Sequence, residues 1–102
     1  MTPMNAGRIE TYVHSDKSTE NKGLAVVGVY CQTDFAAKTP EFIAFCKEVA
    51  KFAYAGEYPS WNEICDTFPS ILRWHYELEK LLKEKVVVND DQIHIVKLQG
   101  VA

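Results

Sequence analysis

The sequence predicts an α+β fold: a two-layer domain in which a three-stranded antiparallel sheet, in the order strand–strand–helices–strand, carries its helices on one face. Three observations lead there. Two strand-like stretches, residues 7–14 and 24–31, lie close together and are separated by a wholly polar loop. Apolar residues then recur at three- and four-residue steps between Pro40 and Leu82. A strand-like run returns at Ile93, Ile95, Val96 and Leu98. Strands joined by a short polar loop are most simply antiparallel, and the third joins them once the helices have crossed one face. Such a sheet leaves two open edges, and one could pair with a second copy.

Each element has a local cause. Over residues 7–14, Ile9, Thr11 and Val13 alternate with Arg8, Glu10, Tyr12 and His14. Period two with β-branched residues predicts a half-buried strand. Residues 15–22 are polar and end at Gly23, as a solvated hairpin connection should. The valine-rich run 24–31 predicts a more deeply buried strand, with Gly28 at a bulge or a close backbone approach. Residues 33–38 suit a separate helical turn, because Pro40 biases Thr39 away from helical backbone. Thr39 is then the N-cap and Pro40 the first residue of a longer helix. Phe42, Phe45, Val49, Phe52 and Ala53 form its apolar face, and Gly56 offers a stop. Ser60-Trp61-Asn62-Glu63 has the form of a capping box and opens a short helix to about Thr67. Pro69 opens another, striped by Ile71, Trp74, His75, Leu78, Leu81 and Leu82, with Glu79 and Lys83 paired on its wet side. Asn89-Asp90-Asp91 predicts a turn before the last strand, leaving open whether residues 86–88 add a short hairpin strand.

A chain of 102 residues fits one domain, and 47% hydrophobic with 25% charged residues is ordinary globular composition. A net charge of −3 argues against a nucleic-acid binder, which would carry a basic stripe. No apolar run approaches the roughly 20 residues of a membrane helix. The first residues do not resemble a secretory signal, so a cytoplasmic protein is expected. Cys31, Cys46 and Cys65 are odd in number and widely spaced, which favours free thiols in a reducing compartment. No Cys-x-x-Cys or helical His pair suggests a metal, and no cofactor is expected. Cys31 or Cys46 as a nucleophile is disfavoured, because apolar surroundings raise a thiol's pKa. His75 has no evident nucleophile or carboxylate partner beside it and is read as a packing residue. The chain is therefore not expected to be an enzyme.

The corner Tyr30-Cys31-Gln32-Thr33-Asp34-Phe35-Ala36-Ala37-Lys38 is the most informative stretch. It carries polar and aromatic residues off the end of a buried strand, where a rigid scaffold can present them. Its plainest explanation is local: Thr33 or Asp34 caps a helix and Phe35 packs beneath it. The corner also resembles the Thr-Asp-Phe-Val-Ala motif of translation elongation factor Ts, the guanine-nucleotide exchange factor of elongation factor Tu. The resemblance extends to Gly7-Arg8-Ile9-Glu10-Thr11-Tyr12-Val13-His14, to Gly23-Leu24-Ala25-Val26-Val27-Gly28-Val29, to Phe42, Ala50 and Ala53, and to Gln92-Ile93-His94-Ile95. It thus covers residues 7–98 and implies a single core, or dimerisation, subdomain over residues 1–102.

That resemblance implies that Thr33, Asp34 and Phe35 bind the partner. Asp34 and Phe35 would reach the nucleotide-binding domain of elongation factor Tu, the ring wedging beside the magnesium site. A wedge that fits the nucleotide-free state better weakens nucleotide binding by the same factor. Asp34 would also orient the loop through backbone N–H groups. Homodimerisation is expected as well, since some relatives pair single core subdomains. The departures are Phe35-Ala36-Ala37 in place of Phe-Val-Ala, a longer and more charged loop at 15–22, and no counterpart of the family's N-terminal helical domain or second core subdomain. They leave open a structural, self-associating module, or a competitor that binds without promoting exchange.

Overall fold

A computed structural model of the chain describes residues 6–15, 22–57 and 60–97. Strands β1 (Ala6–His14), β2 (Gly23–Cys31) and β3 (Val87–Lys97) form one antiparallel sheet in the order β1-β2-β3. Between β2 and β3 run helices α1 (Asp34–Ala37), α2 (Pro40–Gly56), α3 (Trp61–Thr67) and α4 (Pro69–Leu82). This is the two-layer α+β arrangement expected, and α2 lies against all three strands. Residues 16–21 of the polar loop and Leu98 lie outside the described residues. The β1–β2 pairing is closed at this end by Lys22 N–H donating to the His14 carbonyl at 2.8 Å.

The core is built on one face of β2. Ala25, Val27, Val29 and Cys31 are all 0–1% exposed, and they meet Phe42, Phe45, Cys46, Val49, Ala50 and Ala53 of α2 in one apolar cluster. The register places Tyr12 of β1 opposite Ala25, and Ile95 of β3 on its other side. The small alanine leaves room for the Tyr12 ring, which lies 5.5 Å from the Tyr54 ring. The inward face of β1 is therefore its polar-looking set, with Glu10, Tyr12 and His14 half-buried. Its β-branched set faces away from the helices: Ile9 is 70% exposed and Val13 50%. Val96, opposite Leu24 across from Val13, is 55% exposed on that same uncovered face.

Thr39 caps α2, its hydroxyl accepting from Phe42 N–H at 3.3 Å, and Pro40 begins the helix as expected. Gly56 is the last helical residue rather than the stop. The left-handed position falls one later, on Glu57 (φ 57°), whose carboxylate meets Lys97 Nζ at 2.7 Å. In α4, Ile71 and Leu78 are buried, but Leu81 is 60% exposed, because the stripe passes instead through Leu82. The expected Glu79–Lys83 pair is not made, since Lys83 has left the helix in a left-handed conformation (φ 59°). Glu79 Oε2 accepts from Val86 N–H at 3.0 Å instead. His75 packs as expected, its Nε2 2.6 Å from the Val86 carbonyl and its ring against Phe45 and Trp61, but a carboxylate does stand beside it: Glu79 Oε2 lies 3.9 Å from that nitrogen.

The predicted turn at Asn89-Asp90-Asp91 is corrected to an excursion within one strand. Val27 pairs with Ile93 and Val29 with Val88, so Gly28 alone stands opposite residues 89–92. A side chain at Gly28 would begin 2.9 Å from Gln92 Cβ, which is why the bulge sits at this glycine. The excursion is held by Asn89 Oδ1 accepting from Asp91 N–H at 2.9 Å, and Asp90 Oδ1 accepts from Trp61 N–H at 2.7 Å. Asp90 thus satisfies a free donor in the first turn of α3, beside the Ser60 cap.

Phe45→Ala should destabilise the domain by about 3–5 kcal/mol in denaturant titration, because Phe45 is fully buried with Trp61 and Trp74 packed edge-on against it. A second expectation concerns alkaline pH. Burial pushes the Cys46 thiol from 9.0 up to about 12. The stabilisation this represents is present in full below pH 9.0 and is lost between there and about pH 12, where the unfolded chain ionises first. The denaturation midpoint of Cys46→Ala should therefore fall less steeply over that range than that of the unaltered chain.

Candidate functional site

The corner begins where β2 runs out of partners. The last β2–β3 rung described is Tyr30–Val87. Beyond it, among the described residues, the N–H groups of Gln32 and Thr33 face no opposing strand, and an unpaired backbone donor is costly wherever water is excluded. A carboxylate takes both. Glu84 Oε1 accepts from Gln32 N–H at 2.8 Å and from Thr33 N–H at 3.1 Å. Glu84 Oε2 accepts from the Thr33 hydroxyl at 2.9 Å. In return, Gln32 Oε1 accepts from Lys85 N–H at 3.0 Å.

Thr33 has extended backbone (φ −131°, ψ 149°) and caps α1, its hydroxyl oxygen accepting from Ala36 N–H at 3.2 Å. The Cys31 thiol donates to the Thr33 carbonyl at 3.3 Å. Burial first, then the nearby Glu84 charge, raises the pKa of Cys31 and so keeps it a donor. At the far end of the turn, the Thr39 hydroxyl donates to the Ala36 carbonyl at 2.8 Å. Ala36 and Ala37 are buried, while Phe35 points away from the domain at 83% exposure. Phe42 and Phe45 are fully buried, so Phe35 is not a core phenylalanine that happens to lie on a corner.

Of the residues singled out from the sequence, Thr33, Asp34 and Phe35 are brought together on α1 and its cap, Asp34 and Phe35 both exposed. The cap is Thr33, and Phe35 does not pack beneath it. Asp34 occupies the first turn, where a carboxylate complements the helix N-terminus. Among the described residues its carboxylate accepts from no backbone N–H. The N–H groups of Gln32, Thr33 and Ala36 go to Glu84 and to the Thr33 hydroxyl. Glu84 is the residue that the sequence did not reveal, since 51 positions separate it from Thr33. A shallow cavity of about 710 Å³ opens beside it, lined in part by Gln32, Tyr76, Lys80, Lys83 and Lys85.

No family model matches the chain. Part of it is similar to elongation factor Ts proteins. It is 48% identical over 44 residues to elongation factor Ts of Rubrobacter xylanophilus, and likewise to that of Herpetosiphon aurantiacus, in each case over 43% of this chain and 20% of the relative. It is 41% identical over 61 residues to elongation factor Ts of Nautilia profundicola, over 60% of this chain and 17% of the relative. The similarity thus covers about a fifth of the curated relatives' length.

The geometry separates residues that hold the corner from the residue it displays. Thr33→Ala should cost about 1 kcal/mol of stability by removing the cap. Phe35→Ala should change stability by no more than about 0.5 kcal/mol, as an exposed side chain should. Chemical denaturation of the two variants measures both.

Proposed function

We propose that this chain is a protein-binding module of the elongation factor Ts type, not an enzyme. Its Thr33-Asp34-Phe35 corner engages the nucleotide-binding domain of elongation factor Tu, in the cytoplasm, and promotes release of GDP. The observation that carries this reading is the outward Phe35 ring, 83% exposed on a one-turn helix whose backbone is hydrogen-bonded on both sides. Exposing a whole aromatic ring forgoes the burial that stabilises Phe42 and Phe45, and a rigid support makes its docking cheap in entropy. The partial similarity to elongation factor Ts supports the identity of the partner. Phe35 acts as a wedge, stabilising the nucleotide-free partner and so weakening its hold on GDP.

The chain also pairs with a second copy. The face of the sheet away from the helices favours this, with Ile9, Val13 and Val96 exposed around half-buried Leu24 and Val26, and with β1 and β3 as the edge strands among the described residues. That same face supports the second reading, a self-associating structural module without a GTPase partner. A competitor of the exchange factor is the third.

The protein should accelerate release of labelled GDP from elongation factor Tu. Phe35→Ala should remove most of the acceleration and Asp34→Ala less of it. No acceleration at saturating protein, or full acceleration by Phe35→Ala, would sink the exchange reading, whereas binding without acceleration would identify a competitor. In sedimentation at micromolar concentration the chain should be a dimer. Ile9→Glu, on the outward side of β1, should make it a monomer without loss of fold; a monomeric unaltered chain would remove the pairing.

A further inference from the structure

The geometry points to Glu84 as the positioning residue of the corner: it holds Thr33-Asp34-Phe35 in the shape that docks. This inference rests on the corner being the partner-binding site. Its basis is a helix too short to hold itself. α1 spans four residues, against the roughly 12–15 that an isolated helix needs to be even marginal in water. Its geometry must be imposed by its ends, and Glu84 governs the N-terminal one.

The Glu84 carboxylate accepts three hydrogen bonds at once. Its Oε1 takes the N–H groups of Gln32 and Thr33, which fixes the direction in which the chain leaves β2. Its Oε2 takes the single hydroxyl proton of Thr33, so the lone pairs of that oxygen are left for Ala36 N–H. The cap of α1 is thereby oriented from across the fold. Hydrogen bonds to an ionised acceptor are about twice as strong as neutral ones. Gln32 completes the brace by accepting from Lys85 N–H. The β2–β3 ladder is in effect continued by side chains where the two backbones have ceased to pair.

Glu84 is itself held. The left-handed Lys83 turns the chain off α4, its N–H donating to the Glu79 carbonyl at 2.9 Å. Two residues on, Val86 is pinned to α4 through both of its backbone polar groups, its N–H by Glu79 and its carbonyl by His75. A continuous set of hydrogen bonds therefore runs from α4, through residues 83–86, to the cap of α1, the turn that carries Phe35.

The test compares the unaltered chain with Glu84→Ala and Glu84→Gln, by amide hydrogen exchange followed by NMR and by binding to nucleotide-free elongation factor Tu. Glu84→Ala should speed exchange at the Gln32, Thr33 and Ala36 amides by about tenfold or more, as expected where a charge-assisted hydrogen bond is lost. Amides of β2 and α2 within the core should be unchanged. Affinity should fall about tenfold, with Glu84→Gln intermediate because one acceptor oxygen remains. In Phe35→Ala, adding Glu84→Ala should cost clearly less than it does in the unaltered chain, because Phe35 is the largest of the contacts Glu84 positions. Unchanged exchange at the three amides would overturn the inference. So would loosening of the core amides to the same degree, or a loosened corner that binds as tightly as before. If the unaltered chain does not bind the partner, the binding reading falls, and with it the word docking. The amide measurement still decides whether Glu84 shapes the corner.

Discussion

The packing of α2 on the inner face of β2 is the contact on which everything else in this domain depends. Ala25, Val27, Val29 and Cys31 are small, so the helix can approach closely, and Phe42, Phe45 and Val49 fill the space between. β1 and β3 do not touch each other in the sheet; each is attached through β2. The short Lys38-Thr39 connection then hangs α1 from the start of α2, at the end of the same central strand. The corner is placed by the core, although none of its exposed residues belongs to the core.

Much of this is legible locally. Period two gives the strands, Thr39-Pro40 and Ser60 give helix starts, and Gly28 gives the bulge, because each is decided by neighbours in sequence. The errors have a common source in neighbours that are distant. The alternation in β1 leaves open which side faces inward, and the space opposite Ala25 selects that of Tyr12. Asn89-Asp90-Asp91 has turn chemistry, yet pairing on both sides of it with β2 makes it a bulge. Lys83 has the spacing to pair with Glu79, until the chain leaves the helix at that residue. Of the candidate site, the displayed residues were legible and their support was not.

That hidden support has one chemical form. Among the described residues three acidic side chains bind backbone N–H groups outside their own element: Glu84 at Gln32 and Thr33 and Asp90 at Trp61 from far along the chain, and Glu79 at Val86 from seven residues away. Each meets a donor that neither helix nor sheet can pair. In an acidic chain these residues read as solvated surface, whereas here each closes the end of an element. Such assignments need the tertiary fold, because an isolated Glu or Asp carries no sign of which loop it will serve.

The break between α1 and α2 has a consequence for how the domain can change over time. In a continuous helix, each added or lost residue swings everything beyond it by about 100°. Had α1 and α2 been one rod, any repacking of the core that screwed α2 along its axis would have swept the Phe35 ring around with it. The extended backbone of Thr39 interrupts that rotation, and the bonds at Thr33 set the heading of α1 afresh. The interior is thus free to drift in sequence while the aromatic tip keeps its bearing.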